Sequence, residues 1–187
     1  MGFTLIITKP IKKKLCKVCK ELYQPIRTLQ SVCSQNCAWD HARTVREKAE
    51  RKETKEAKIK LKTKSDWLKE TQTVFNQFIR LRDKEEPCIS CQRHHTGQYH
   101  SGHYRSVGAH PELRFDELNV HKQCSVCNNY LSGSLVEYRI NLINKIGIDA
   151  VNYLEGKHEL KHYTIDDIKA LKVLYKLKIK ALDTKSS

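Results

Sequence analysis

Eight cysteines fall into two sets of four in this sequence: Cys16, Cys19, Cys33 and Cys37, then Cys88, Cys91, Cys124 and Cys127. A gap of two residues lets a tight turn aim two thiolates at one tetrahedral Zn2+, and a second turn or a helix start closes the site. The pattern predicts two structural zinc sites, the plainer alternative at each being a buried thiol pair. The second set encloses the histidines: six of the nine lie within residues 88–133. The stretch reads His100-Ser-Gly-His103-Tyr, then Asn119-Val-His121, then Cys124-Ser-Val-Cys127-Asn128. Imidazoles titrate near neutrality and can take a proton from water. Nitrogen and oxygen donors from the same loop, and from the helix start after the last cysteine, could hold a divalent cation. Together these are the requirements for phosphodiester hydrolysis: a base for in-line attack by water, and a cation for the charge on the phosphate.

The charge agrees with a polyanionic partner. Over 187 residues, 35 Lys and Arg against 21 Asp and Glu give a net +14, an excess that answers DNA or RNA. No stretch reaches the roughly 18 apolar residues of a membrane span, and Phe3–Ile7 is shorter than a signal-peptide core. Ile6 stands where a myristoylation signal after Met1-Gly2 wants Ser or Thr. A membrane-spanning or secreted protein is therefore not expected, and thiolate ligands in a reducing cytoplasm are.

The elements that position this chemistry follow from periodicity and punctuation. Residues 38–64 carry ten Lys or Arg and five acidic residues, with Arg43–Glu47, Glu47–Arg51 and Lys52–Glu56 four apart. This predicts a helix without an apolar face, either a solvated connection or a basic arm along phosphates. Ser65 offers an N-cap for a helix whose Leu68, Thr71, Phe75, Phe78 and Arg82 share one face, with Pro87 as its stop. That face is expected to pack on the second zinc module. Gly97, Gly102, Gly108 and Pro111 break residues 88–133 into short pieces. Ser134 and Glu137 suggest a capping box for a helix bearing Leu135, Tyr138, Leu142 and Ile146. A short helix over 149–159 and a last one capped by Thr164, with Ile168, Leu171, Tyr175, Ile179 and Leu182 on one stripe, complete the chain. The expected organisation is an N-terminal zinc module (1–37), a basic linking helix (38–64) and a domain carrying the second zinc site (65–187).

Cys88-x-x-Cys91, Gly102-His103-Tyr104, Arg114-Phe115, Asn119-Val-His121-Lys-Gln-Cys124-x-x-Cys127-Asn128 and Ser132-Gly133 resemble the NinG (Rap) family of lambdoid-phage recombination proteins. The order CxxC, His, CxxCN is also similar to zinc-stapled HNH resolvases. The resemblance covers most of the chain, including the first cysteine set, the basic helix, Ser65 and Trp67, and the C-terminal helices. It implies an α+β fold, a small zinc-bound ββα-metal (HNH-like) module embedded among helices. It further implies a structure-specific endonuclease that uses Mg2+ or Mn2+ to cut branched DNA such as Holliday junctions and displacement loops, in the host bacterial cytoplasm and alongside recombination proteins. The near two-fold symmetry of a four-way junction would suit a homodimer. Carried over, His103 matches the general base, Asn128 the cation ligand after the last cysteine, and Asn119 the residue that holds the loop. Gly102 stands where the HNH pattern places an acidic ligand, so His100 becomes the substitute and His121 the alternative; both favour Mn2+ over Mg2+. Arg105, Arg114, Lys122 and Arg139 flank the site as candidate phosphate contacts. The competing reading is a non-catalytic zinc-stabilised DNA-binding adaptor.

Overall fold

A computed structural model describes residues 11–185; Met1-Gly2 and the Phe3–Ile7 run lie outside the described residues. The chain divides into two compact units, one ending at Leu61 and the other beginning at Lys62. In the first, β1 (Lys14–Leu15) and β2 (Leu22–Tyr23) pair antiparallel, and α1 runs from Gln35 to Lys60. The helix starts earlier than its charge pattern suggests because Ser34 caps it, accepting from the Cys37 amide at 3.3 Å. No residue of α1 is buried, as its lack of an apolar face requires. Lys52 and Glu56 approach to 4.0 Å, whereas Arg43 turns back to Asp40 at 2.9 Å rather than forward to Glu47.

The second unit holds α2 (Lys64–Arg82), β3 (Tyr99–His103), β4 (Val120–Cys124), α3 (Leu135–Ile146), α4 (Ile148–Glu155) and α5 (Ile165–Lys185). Thr63, not Ser65, caps α2: it accepts from the Asp66 amide while the Asp66 carboxylate accepts from the Thr63 amide. Asp83 ends the helix, ahead of Pro87. The apolar face of α2 meets α5 as well as the expected second cysteine module. Phe75, Phe78 and Ile79 cluster with Tyr175, Phe115 and Val120, and Leu171, Ile179 and Leu182 pack against them. Phe75 lies edge-on to both Tyr175 and Phe115, and each fully buried apolar side chain contributes about 1.5–3 kcal/mol. A second core joins Ile89, Tyr104, Leu113, Tyr138, Leu142, Val151 and Leu154, so α3 and α4 pack on the Ile89 turn and on the segment between β3 and β4.

Two helix starts differ in kind. Thr164 and Asp167 exchange backbone-to-side-chain bonds at 2.8 and 3.1 Å, a full capping box. Ser134 adopts a left-handed conformation with no side-chain cap, and its hydroxyl instead bonds the Glu137 carboxylate at 2.8 Å. Gly147, at φ 85°, makes the joint between α3 and α4, a conformation that favours glycine.

Candidate functional site

In each cysteine set the sulfurs all lie within 4.8 Å of one another. Zn–S bonds of about 2.3 Å in a tetrahedron set sulfur–sulfur edges of about 3.8 Å, and Cys19–Cys33 and Cys33–Cys37 measure 3.5 and 3.6 Å. The Cys33 amide donates to Cys16 Sγ at 3.4 Å and the Cys124 amide to Cys88 Sγ at 3.3 Å. Such bonds favour the thiolate over the thiol. The donor sets fit zinc, four soft sulfurs apiece. In the second set Cys88, Cys124 and Cys127 are buried, which ties the 88–91 turn to the end of β4. His95, passed over in the sequence, brings Nε2 to 3.2 Å from Cys91 Sγ.

The β3–β4 register decides which histidines can meet. His103 pairs with Val120, Gly102 with His121 and His100 with Gln123. Successive strand side chains alternate faces, so His100 and His103, three apart, lie on opposite faces of the hairpin. His100 therefore does not stand beside His103 as the substitute ligand; its Nε2 lies 3.5 Å from Asn129 Nδ2. The glycine before His103 has a packing reason. A Cβ at Gly102 would stand 2.1 Å from Gln123 Oε1, and Gln123 is 1% exposed. No acidic side chain fits there without displacing Gln123.

His121 is a structural histidine rather than a cation ligand. It is buried, with Arg82 Nη2 3.1 Å from Nδ1 and the Leu118 carbonyl 3.1 Å from Nε2. A guanidinium only donates and a carbonyl only accepts. The ring is therefore neutral with its proton on Nε2, and burial aided by Arg82 takes its pKa down to about 4. Asn119, fully buried, holds the loop between the strands: Oδ1 accepts from the Arg105 amide at 2.7 Å, and Nδ2 donates to the Arg105 and Leu113 carbonyls at 3.0 and 3.2 Å.

Three of the four candidate phosphate contacts are engaged internally. Lys122 is buried, with Nζ donating to the Lys84 carbonyl at 2.7 Å and lying 4.5 Å from the Tyr99 ring centre. Arg139 grips Glu155 through Nε and Nη2 at 2.7 and 3.1 Å, and Glu155 also accepts from the Tyr104 hydroxyl. Arg114 donates to Gln72 at 2.9 Å. Its contribution to the site is its carbonyl, which lies 3.1 Å from His103 Nε2.

That contact fixes the state of His103. Only a protonated Nε2 can bond a carbonyl, which leaves Nδ1 as the accepting nitrogen. Burial holds the His103 pKa below its ordinary value, partly offset by the Arg114 carbonyl. His103 lines a cavity of about 610 Å³ together with Ser101, Arg105, His110, Asn128 and Ser132. Asn128 belongs to a wide helical turn, Val126–Tyr130, that also contains Cys127 of the second cysteine set. His103 and Asn128 thus share one cavity. The donors it could offer a metal are neutral nitrogens and oxygens, and no carboxylate is among the described lining residues. This set does not fit a protein-held Mg2+, which demands hard oxygen ligands; it is better matched to Mn2+. His110 was not singled out from sequence, where its signal is no more than a histidine two residues before Glu112.

The family model described as bacteriophage lambda NinG protein matches residues 8–185. The chain is 41% identical over 194 residues to "Protein ninG" of Escherichia phage 933W, covering 94% of this chain and 96% of that protein. The corresponding protein of Escherichia phage lambda is 40% identical over 197 residues, covering 95% and 96%. That of Salmonella phage P22 is 42% identical over 190 residues, covering 91% and 94%. No solved structure matches. With the cysteine sets, the Gly102-His103-Tyr104 strand end and the Cys127-Asn128 turn all inside the matched region, this chain belongs to the NinG family.

Proposed function

We propose that this chain is an HNH-like, divalent-metal-dependent endonuclease that hydrolyses phosphodiesters in branched DNA arising during recombination. The observation that carries the reading is His103, a neutral imidazole whose Nε2–H is fixed on the Arg114 carbonyl while the ring lines a cavity shared with Asn128. A base must be unprotonated at working pH and oriented towards its water; burial meets the first condition and the carbonyl bond the second. In the proposed step, Nδ1 of His103 takes a proton as a water oxygen bonds to phosphorus, and the opposite P–O bond to the leaving sugar breaks. Asn128 would hold the cation, which when bound stabilises charge on the phosphate. The net +14 supports backbone-dominated binding with weak sequence selectivity, and a two-fold junction would suit a homodimer working with recombination proteins.

A second reading, a non-catalytic DNA-binding adaptor, is favoured by the lack of a carboxylate among the described cavity-lining residues. Labelled four-way junction, displacement loop and linear duplex, incubated with the zinc-loaded protein and Mn2+ or Mg2+, separate the two. The nuclease reading expects cleavage of the branched substrates, faster with Mn2+. Binding of branched DNA without cleavage under either metal supports the adaptor.

A further inference from the structure

The cavity contains a chain of polar groups that the proposed hydrolysis does not use. Arg105 Nη2 lies 2.7 Å from His110 Nε2, and His110 Nδ1 lies 3.1 Å from Glu112 Oε1. Because a guanidinium can only donate, His110 Nε2 must accept, and the ring proton must sit on Nδ1, facing Glu112. This is the opposite tautomer to those of His103 and His121. The Glu112 side chain is 9% exposed and that of His110 24%, so the chain runs inward from the cavity lining to a sheltered carboxylate. The loop that carries it is itself fastened. The His110 amide donates to the Ser106 carbonyl at 2.8 Å, the Arg105 amide donates to buried Asn119 at 2.7 Å, and Pro111 starts a short helical turn through Leu113. Arg105 Nε is buried without a hydrogen-bond partner. A buried donor without an acceptor is costly, and a guanidinium presents its donors in a planar fork that matches phosphate oxygens.

We infer that Glu112 and His110 are positioning residues that hold Arg105 as the phosphate-binding cation of this cavity, the Nη donors that His110 leaves free receiving a non-bridging oxygen of the DNA backbone. The inference rests on the reading that DNA enters the His103 cavity, but not on cleavage. Glu112 orients the imidazole, the imidazole orients one end of the guanidinium, and the phosphate takes the other. Of the four basic residues flanking the histidine cluster, Arg105 is the one that lines this cavity, and its described side-chain hydrogen bond goes to the His110 imidazole. Lys at 105 would keep the charge but lose the planar fork.

The test observes Arg105 and His110 directly, using 15N-labelled zinc-loaded protein and a short DNA junction. Long-range 1H–15N spectra should show His110 with its proton on Nδ1, and the Arg105 Nε–H resonance should shift as the junction is added. His110→Ala should abolish that shift and weaken junction affinity by about 3- to 10-fold, while His110→Gln, which keeps an acceptor facing Arg105, should restore most of both. If the wild type also cleaves, His110→Ala should lower kcat by about 10- to 100-fold, the range expected when a binding group loses its orientation. An Nε2-protonated His110, or an Arg105 resonance that ignores DNA, overturns the inference even if cleavage occurs. A DNA-responsive Arg105 that depends on His110 in a protein that does not cleave sustains it while removing the nuclease reading.

Discussion

Replacing Gly102 by Ala probes why this chain lacks a side chain before its candidate base. The added Cβ would meet Gln123 Oε1 at 2.1 Å, Cδ at 3.0 Å and Cβ at 3.1 Å, so Gln123 must move. Gln123 is held in place: its Nε2 donates to Ser90 Oγ at 2.7 Å and to the Gly133 carbonyl at 2.5 Å. Overpacking a tight core costs about 1–3 kcal/mol, and each lost buried hydrogen bond about 1 kcal/mol. The sum is about 3–5 kcal/mol, a large part of a domain's usual 5–15 kcal/mol. With an m-value of about 1.5 kcal/mol/M, the urea midpoint of the zinc-loaded protein should fall by about 2–3 M. Gln123→Ala removes the obstruction and leaves Ser90 Oγ still bonded to the Gly133 carbonyl at 3.1 Å. The double variant should therefore be about 1–2 kcal/mol more stable than the two single losses added together. A Gly102→Ala midpoint within about 0.3 M of wild type, or strict additivity, would refute the packing argument.

Three further outcomes are expected. The unfolded His121 imidazole takes a proton near pH 6.5 while the folded one stays neutral down to about 4, so the unfolded state binds more protons between these values. Stability should fall by up to about 3 kcal/mol as pH drops through that window and be fully present above it; urea unfolding of His121→Gln should show a shallower loss than wild type. Elemental analysis should find two zinc ions per chain. Cys19→Ser should remove one while the main unfolding transition persists, whereas Cys124→Ser, in the buried set, should abolish that transition. In DNA binding, Arg105→Gln should reduce the slope of log Kd against log salt by about one. Lys122→Gln and Arg139→Gln should leave it unchanged, because both cations already have internal partners.

The two four-cysteine clusters were legible because spacing is a local property: two cysteines three apart need only a turn to converge, and both sets do converge. The stripe on α5 was legible for the same reason, as Ile168 and Tyr175 lie buried where the period places them. Facing and pairing were not local. Once residues 99–103 form a strand, an odd spacing separates His100 from His103, but the glycines in that region suggested irregular structure, which hides the parity. The partners of Lys122 and Arg139 lie 38 and 16 residues away, so a basic residue near a motif looked free when it was not. Helix caps erred by small steps: Thr63 and Ser65 both offer hydroxyls, and the place where the backbone enters the helix selects Thr63. His110 carried no signal beyond its spacing to Glu112; what gives it a role is a contact with Arg105 across the loop.

Single-turnover cleavage of a labelled four-way junction with Mn2+ bears immediately on the proposal that His103 Nδ1 is the base in a hydrolytic cut of branched DNA. Wild type should be compared with His103→Ala, in the absence and presence of added imidazole. His103→Ala should bind the junction within about threefold of wild type, cleave it about 10²- to 10⁴-fold more slowly, and regain part of the rate with imidazole. Cleavage by His103→Ala at the wild-type rate would contradict the assignment of the base, and no cleavage by the wild type under any divalent metal would contradict the nuclease itself.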